Sequence, residues 1–93
     1  MAATTSGPST TVQVTVRYFA AARAAAATEF ETLPVAPGTT IADLVSQLGK
    51  GHHKLATVLA RCSFLCDGVA VRDSAVTLQT GQTIDVLPPF AGG

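Results

Sequence analysis

The sequence predicts an α+β domain, a single sheet with its helices on one side. Three observations carry this expectation. Residues 11–19 and 28–35 alternate apolar and polar side chains with the period of a strand, and residues 83–87 read as a last one. Residues 39–49 repeat their apolar side chains at helical spacing instead. Asp67-Gly68 stands between two short apolar runs, where a two-residue hairpin turn needs positive φ at both central positions. The resulting order is strand, short helix, strand, helix, helix, strand, strand, strand. No internal repeat or linker divides it, so one domain is expected over residues 11–87.

Each element has a local reason. In residues 11–19, Val12, Val14, Val16 and Tyr18 fall on one side, with Thr11, Gln13, Thr15 and Arg17 on the other. Residues 20–27 are seven alanines and Arg23, a composition with strong helix propensity and few large side chains, so a turn or two of closely packed helix is expected. The strand of residues 28–35 is read as antiparallel to the first, with Phe30, Leu33 and Val35 inward, and it ends at Pro37-Gly38. In the main helix Ile41, Leu44, Val45 and Leu48 form one stripe. Thr39 or Thr40 is placed to cap it, with Asp43 completing a capping box, and Gly49 or Gly51 supplies a left-handed stop. Leu55, Val58 and Leu59 predict a second, shorter helix. Residues 62–66 and 69–71 are the arms of the hairpin. Val76 and Leu78 are read as apolar anchors in the polar connection to the last strand.

Composition excludes several functions. Six Lys/Arg balance six Asp/Glu without a run of either sign, so nothing marks the chain as a nucleic-acid or anionic-membrane binder. No apolar window approaches the roughly 20 residues of a membrane span. Residues 1–10 lack the basic start and apolar core of a signal peptide and read as a mobile leader, which makes a cytoplasmic location the default. Cys62 and Cys66 would share a strand face with Phe64 as reduced thiols in or near the core, and no second ligand pair completes a zinc site. His52 and His53, adjacent on a helix, diverge by about 100° and make no metal site either. No Ser/His/Asp set, oriented Cys/His pair or phosphate-cradling glycine loop is present, and Gly49-Lys50-Gly51 lacks the rest of a Walker motif.

The chemistry is expected at the end of the chain, in Leu87-Pro88-Pro89-Phe90-Ala91-Gly92-Gly93. Pro88-Pro89 cannot continue a helix and biases the chain toward an extended path. From Pro88 to Gly93 such a path spans roughly 20 Å at about 3.3 Å per residue. Gly92 and Gly93 have no Cβ and pass a channel closed to other residues. Residues 88–93 are therefore read as a functional tail that enters another protein's active site, with the Gly93 carboxylate as its reactive group. A carboxylate is a poor electrophile in water, and ATP-dependent adenylation by a separate enzyme is the natural activation. If the first and last strands lie side by side in mid-sheet, the tail has a rigid anchor.

Two stretches, Arg17-Tyr18-Phe19-Ala20-Ala21-Ala22-Arg23 and Pro88-Pro89-Phe90-Ala91-Gly92-Gly93, resemble the small, sulfur-carrying subunits of molybdopterin synthase, the MoaD family of ubiquitin-like β-grasp proteins. The likeness covers residues from 11 to 93. It implies a β-grasp fold, one mixed sheet of about five strands with helices on one face. It further implies that a ubiquitin-activating-type enzyme uses ATP to adenylate Gly93, and that a sulfur donor protein converts the adduct to a thiocarboxylate. The large subunit would then pass the sulfur to cyclic pyranopterin monophosphate in molybdenum cofactor biosynthesis. The chain itself would bind no cofactor. By the same resemblance Phe19, Arg23, Leu87, Pro88, Pro89, Phe90 and Ala91 contact partners. Two departures bear on partner fit: Leu87 stands where the family often has an aromatic residue, and Phe90 where a smaller aliphatic is common. The residues after Arg23 also lack the acidic groups often seen there. A carrier for thiamine or for an amino acid, a ubiquitin-like modifier joined to lysines through Gly93, and a plain binding module with an idle tail remain as alternatives.

Overall fold

The structure, a computed structural model, describes residues 11–89. The leader of residues 1–10 and the tail residues Phe90, Ala91, Gly92 and Gly93 lie outside the described residues. Within them the chain forms β1 (Val12–Tyr18), α1 (Ala20–Ala26), β2 (Phe30–Val35), α2 (Ile41–Gly49), α3 (His53–Leu59), β3 (Ser63–Cys66), β4 (Val69–Ala70) and β5 (Thr83–Leu87). The five strands make one mixed sheet in the order β2-β1-β5-β3-β4. β1 runs antiparallel to β2 and parallel to β5, and β3 is antiparallel to both β5 and β4. First and last strands therefore lie side by side in mid-sheet.

Strand alternation decides which face carries the core. Val14, Val16 and Tyr18 of β1 and Ile84 and Val86 of β5 point to the helix side, where they meet Ala22 of α1, Ile41 and Leu44 of α2, and Leu55 and Leu59 of α3. Leu78 and Val35 close the ends of this cluster. Cys62, Phe64 and Cys66 sit on the same side, half-buried against it, as their spacing predicts. Both thiols are free, and burial pushes each above its ordinary pKa, helped for Cys66 by the charge of Asp67. α2 begins with the predicted capping box: the Asp43 amide donates to Thr40 Oγ1 at 3.0 Å, and the Thr40 amide donates to Asp43 Oδ2 at 3.1 Å. At the hairpin, Asp67 and Gly68 have φ of 49° and 83°, the conformation that the dipeptide favours.

Three expectations change. Phe30 is 57% exposed, because β2 turns Glu31, Leu33 and Val35 inward, and strict alternation then sends Phe30 to the opposite face. Val76 is also largely exposed. Its backbone does the anchoring, since the Val76 carbonyl accepts the Ile41 amide at 3.1 Å, while Leu78 alone supplies the buried side chain. The left-handed position after α2 is Gly51, at φ 75°, whereas Gly49 ends the helix for a different reason. A Cβ at Gly49 would lie 2.9 Å from Ala56 Cβ and 3.1 Å from Ala56 Cα, so a hydrogen there lets α3 pack against α2. Gly49→Ala is expected to destabilise the fold by about 1–3 kcal/mol, because the clash is with backbone as well as side chain. Thermal unfolding of that variant at the wild-type temperature would contradict this packing.

Tyr18, the single tyrosine of a chain without tryptophan, reports on the core directly. Its hydroxyl donates to Glu31 Oε2 at 2.6 Å. Burial of the phenol, then this hydrogen bond and the charge of Glu31, raise its pKa strongly. The folded pKa is thus above the unfolded value of about 10, so the stabilisation is complete below pH ~10 and is lost as pH rises beyond it. Tyrosinate absorbance is expected to appear only with alkaline unfolding. A reversible titration near pH 10 with the fold intact would refute the buried hydrogen bond.

Candidate functional site

The candidate site is the end of β5 and the sheet face turned away from the helices. β5 is held on both sides, by β1 and by β3, and carries the chain into Leu87, Pro88 and Pro89. Leu87 is half-buried opposite Ser63, Pro88 is buried and Pro89 is exposed. The Phe19 amide donates to the Val86 carbonyl at 3.2 Å, fastening the start of α1 to the point of exit. Ala20, the next residue, takes a positive φ of 50°, an uncommon conformation for alanine that turns the chain from β1 into α1.

The open face has a defined chemistry. Strand register sets Phe30, Arg17, Asp85, Leu65 and Ala70 in one row across β2, β1, β5, β3 and β4. In the middle of this row Arg17 grips Asp85 with both prongs, Nε donating to Oδ1 at 2.7 Å and Nη2 to Oδ2 at 2.9 Å. The Asp85 side chain is 8% exposed and that of Arg17 is 52% exposed. The hydrogen bond to Asp85, and secondarily its charge, raises the pKa of the guanidinium further, so Arg17 is charged at any working pH. The guanidinium carbon also lies 5.4 Å from the centre of the Phe19 ring, within cation–π range.

Phe19 and Arg23, both singled out in the sequence, line one shallow concavity together with Arg17, Glu29 and Phe30. Arg23 reaches Glu29 at 2.9 Å, but both side chains are mostly exposed, and such a surface pair contributes about 0–1 kcal/mol. Arg17, Asp85 and Phe30 were not singled out as site residues. A signal for one of them existed: Asp85 interrupts an apolar strand between Ile84 and Val86, and an acidic residue there needs a cationic partner. Its identity depended on the parallel register of β1 and β5. Among the described residues no group of three or more His, Cys, Asp or Glu side chains is arranged to hold a metal ion. No helix of the described residues is long and apolar enough to cross a membrane.

A mixed sheet in this order, packed on one face by helices and extended from its central strand by a Pro-Pro segment, is a ubiquitin-like β-grasp domain. The chain belongs to the ThiS family, whose model matches residues 16–93, and within it to the MoaD-like small subunits that the sequence resembles. A molybdopterin synthase sulfur carrier subunit from Chlamydomonas reinhardtii is 30% identical over 83 residues, covering 88% of this chain and 100% of the relative. Among solved structures, a putative molybdopterin converting factor subunit 1 from Pyrococcus furiosus is 27% identical with a TM-score of 0.76, covering 84% of this chain and 98% of that one. The fold is shared by small archaeal modifier protein 1 of Methanosarcina acetivorans, at 24% identity, TM-score 0.75 and coverage of 89% and 98%. It is shared too by a protein–protein complex of subunits 1 and 2 of the molybdopterin-converting factor from Helicobacter pylori, at 21% identity, TM-score 0.67 and coverage of 88% and 100%.

Proposed function

We propose that this chain is the sulfur-carrying small subunit of a molybdopterin synthase and that Gly93 carries the sulfur. The observation that supports the reading best is the route of the chain: the most firmly held strand runs directly into Pro88-Pro89 at the rim of an open, aromatic-lined face. The family and the relative from Chlamydomonas reinhardtii support it independently.

In the proposed cycle a ubiquitin-activating-type enzyme joins the Gly93 carboxylate to the AMP part of ATP, with pyrophosphate leaving. Hydrosulfide released by a donor protein displaces AMP, and the thiocarboxylate enters the large subunit. There its sulfur passes to cyclic pyranopterin monophosphate, and water takes up the Gly93 acyl group, returning it as a carboxylate. Gly92 and Gly93 admit the tail to a narrow channel, and Pro88-Pro89 hold it straight. Phe19, Arg23, Leu87, Phe90 and Ala91 are assigned to partner contact. The ATP belongs to the activating enzyme, and this chain holds no cofactor of its own. Such a cycle, with free thiols and ATP at hand, belongs to the cytoplasm.

Intact-mass measurement of the protein from its native host, under gentle conditions and with fragmentation at Gly93, tests the reading. Replacement of one terminal oxygen by sulfur is the expected result. A tail joined to lysines by isopeptide bonds would instead establish the modifier reading, which the archaeal neighbour's fold keeps in view. A carboxylate that stays unmodified and resists adenylation would leave a binding module.

A further inference from the structure

We propose that the Arg17–Asp85 pair selects the protein that takes the tail, by requiring an acceptor oxygen from the large subunit over the Arg17 guanidinium. The inference rests on the sulfur-carrier reading for the identity of that occupant. Asp85 is the one charged residue buried among the described residues, and it lies on the sheet face that carries no helix. Its two carboxylate oxygens each receive an N–H from Arg17. The remaining N–H donors of Arg17 have no acceptor among the described residues, and the side chain is half in water. Stacking near Phe19 and the fork to Asp85 hold the guanidinium in one orientation, so little freedom is left to lose when a partner arrives.

The pair stands beside the end of the strand that leads into the tail. Asp85 precedes Leu87 by two residues, about 7 Å along the strand, and the tail leaves just beyond it. In the proposed complex the large subunit settles against the row beside this exit, formed by Phe30, Arg17, Asp85 and Leu65. Covering that row removes water from the unused Arg17 donors, and a desolvated guanidinium without an acceptor is strongly unfavourable. A large subunit that offers a carboxylate or a main-chain carbonyl at this point is accepted. One that offers an apolar side chain is rejected, although the surrounding Phe19, Phe30 and Leu65 would otherwise suit it. An ion pair buried at the centre of an apolar rim gives discrimination more than raw affinity.

The test is calorimetric binding of the large subunit from the same host to the full-length chain and to R17L/D85L. Replacing both members by apolar residues removes the pair without leaving an unpaired charge, and the sheet is expected to unfold at or above the wild-type temperature. Binding is expected to weaken by roughly 10-fold or more, the effect of losing an arginine that is an interface hot spot. Arg17→Lys keeps the charge but loses the fork, and its binding should fall between the two; it also serves if the double variant does not fold. Equal affinity for wild type and both variants would overturn the selection role and leave the carrier reading intact. Failure of the wild-type chain to bind the large subunit at all would overturn both.

Discussion

Deletion of Gly93 is expected to abolish sulfur transfer while leaving thermal unfolding where it was. The new terminus, Gly92, would end one residue short, about 3.3–3.6 Å from where the carbonyl carbon is needed. Misplacement of reacting atoms by only about 1 Å can lower a rate by roughly 100-fold, so a full residue should reduce transfer below detection in a coupled assay with the activating enzyme and large subunit. The core is formed by residues between Val14 and Val86, far enough from the terminus that its packing is untouched. Restoration of cofactor synthesis in a deficient host by the shortened chain would sink the carrier reading, and with it any role for Gly93 as the sulfur-bearing residue. Loss of folding in the same variant would show that the tail also has a structural part.

The largest effect on stability is expected from Ile84→Ala. Ile84 is fully buried on the helix side of β5, with Val16 of β1 and Cys66 of β3 as its strand partners. Truncation there removes three carbons from the centre of the core and leaves a cavity that two fixed neighbouring strands cannot close. The loss is about 3 kcal/mol, within the usual range for such substitutions. Against a total stability of roughly 5–15 kcal/mol this is a large share, and for a domain of this size it lowers the melting temperature by about 10–25 °C. Val76→Ala provides the contrast, since more than half of that side chain is already in water and the change should stay within about 0.5 kcal/mol. If the two variants melted together, the core would not be centred on β5, and β5 would be a poor anchor for the tail. Because the Ile84 side chain faces the helices and not the open face, a chilled sample of Ile84→Ala should still accept sulfur at Gly93, separating stability from function.

Particular residues show where local reasoning sufficed. The alternation of Val12, Val14, Val16 and Tyr18 identified both a strand and its buried side, because pleating places every second side chain on one face whatever the neighbours are. Thr40 and Asp43 specified the start of α2, since a capping box needs only residues three apart in the chain. Asp67-Gly68 specified the hairpin for the same reason, as its turn depends on two residues' own φ preferences. Local reasoning misled at Phe30, where hydrophobicity outweighed parity, and at Val76, where an apolar side chain was taken as an anchor in place of its backbone carbonyl.

At the site the division is sharper. Phe19, Arg23 and Leu87-Pro88-Pro89 could be named as candidates because a motif and the properties of proline are written in consecutive residues. The Arg17–Asp85 pair joins residues 68 apart, and nothing local announces it. Chain chemistry alone therefore settled the element order, the inward face of β1 and the cap of α2, since each depends on interactions over a few residues. Tertiary structure alone decided that Phe30 faces outward, that Gly49 is a contact for α3, and that a bidentate ion pair stands in the open face beside the exit. Those outcomes depend on strand register and helix contact, and both arise only when distant segments compete to bury the same apolar surface.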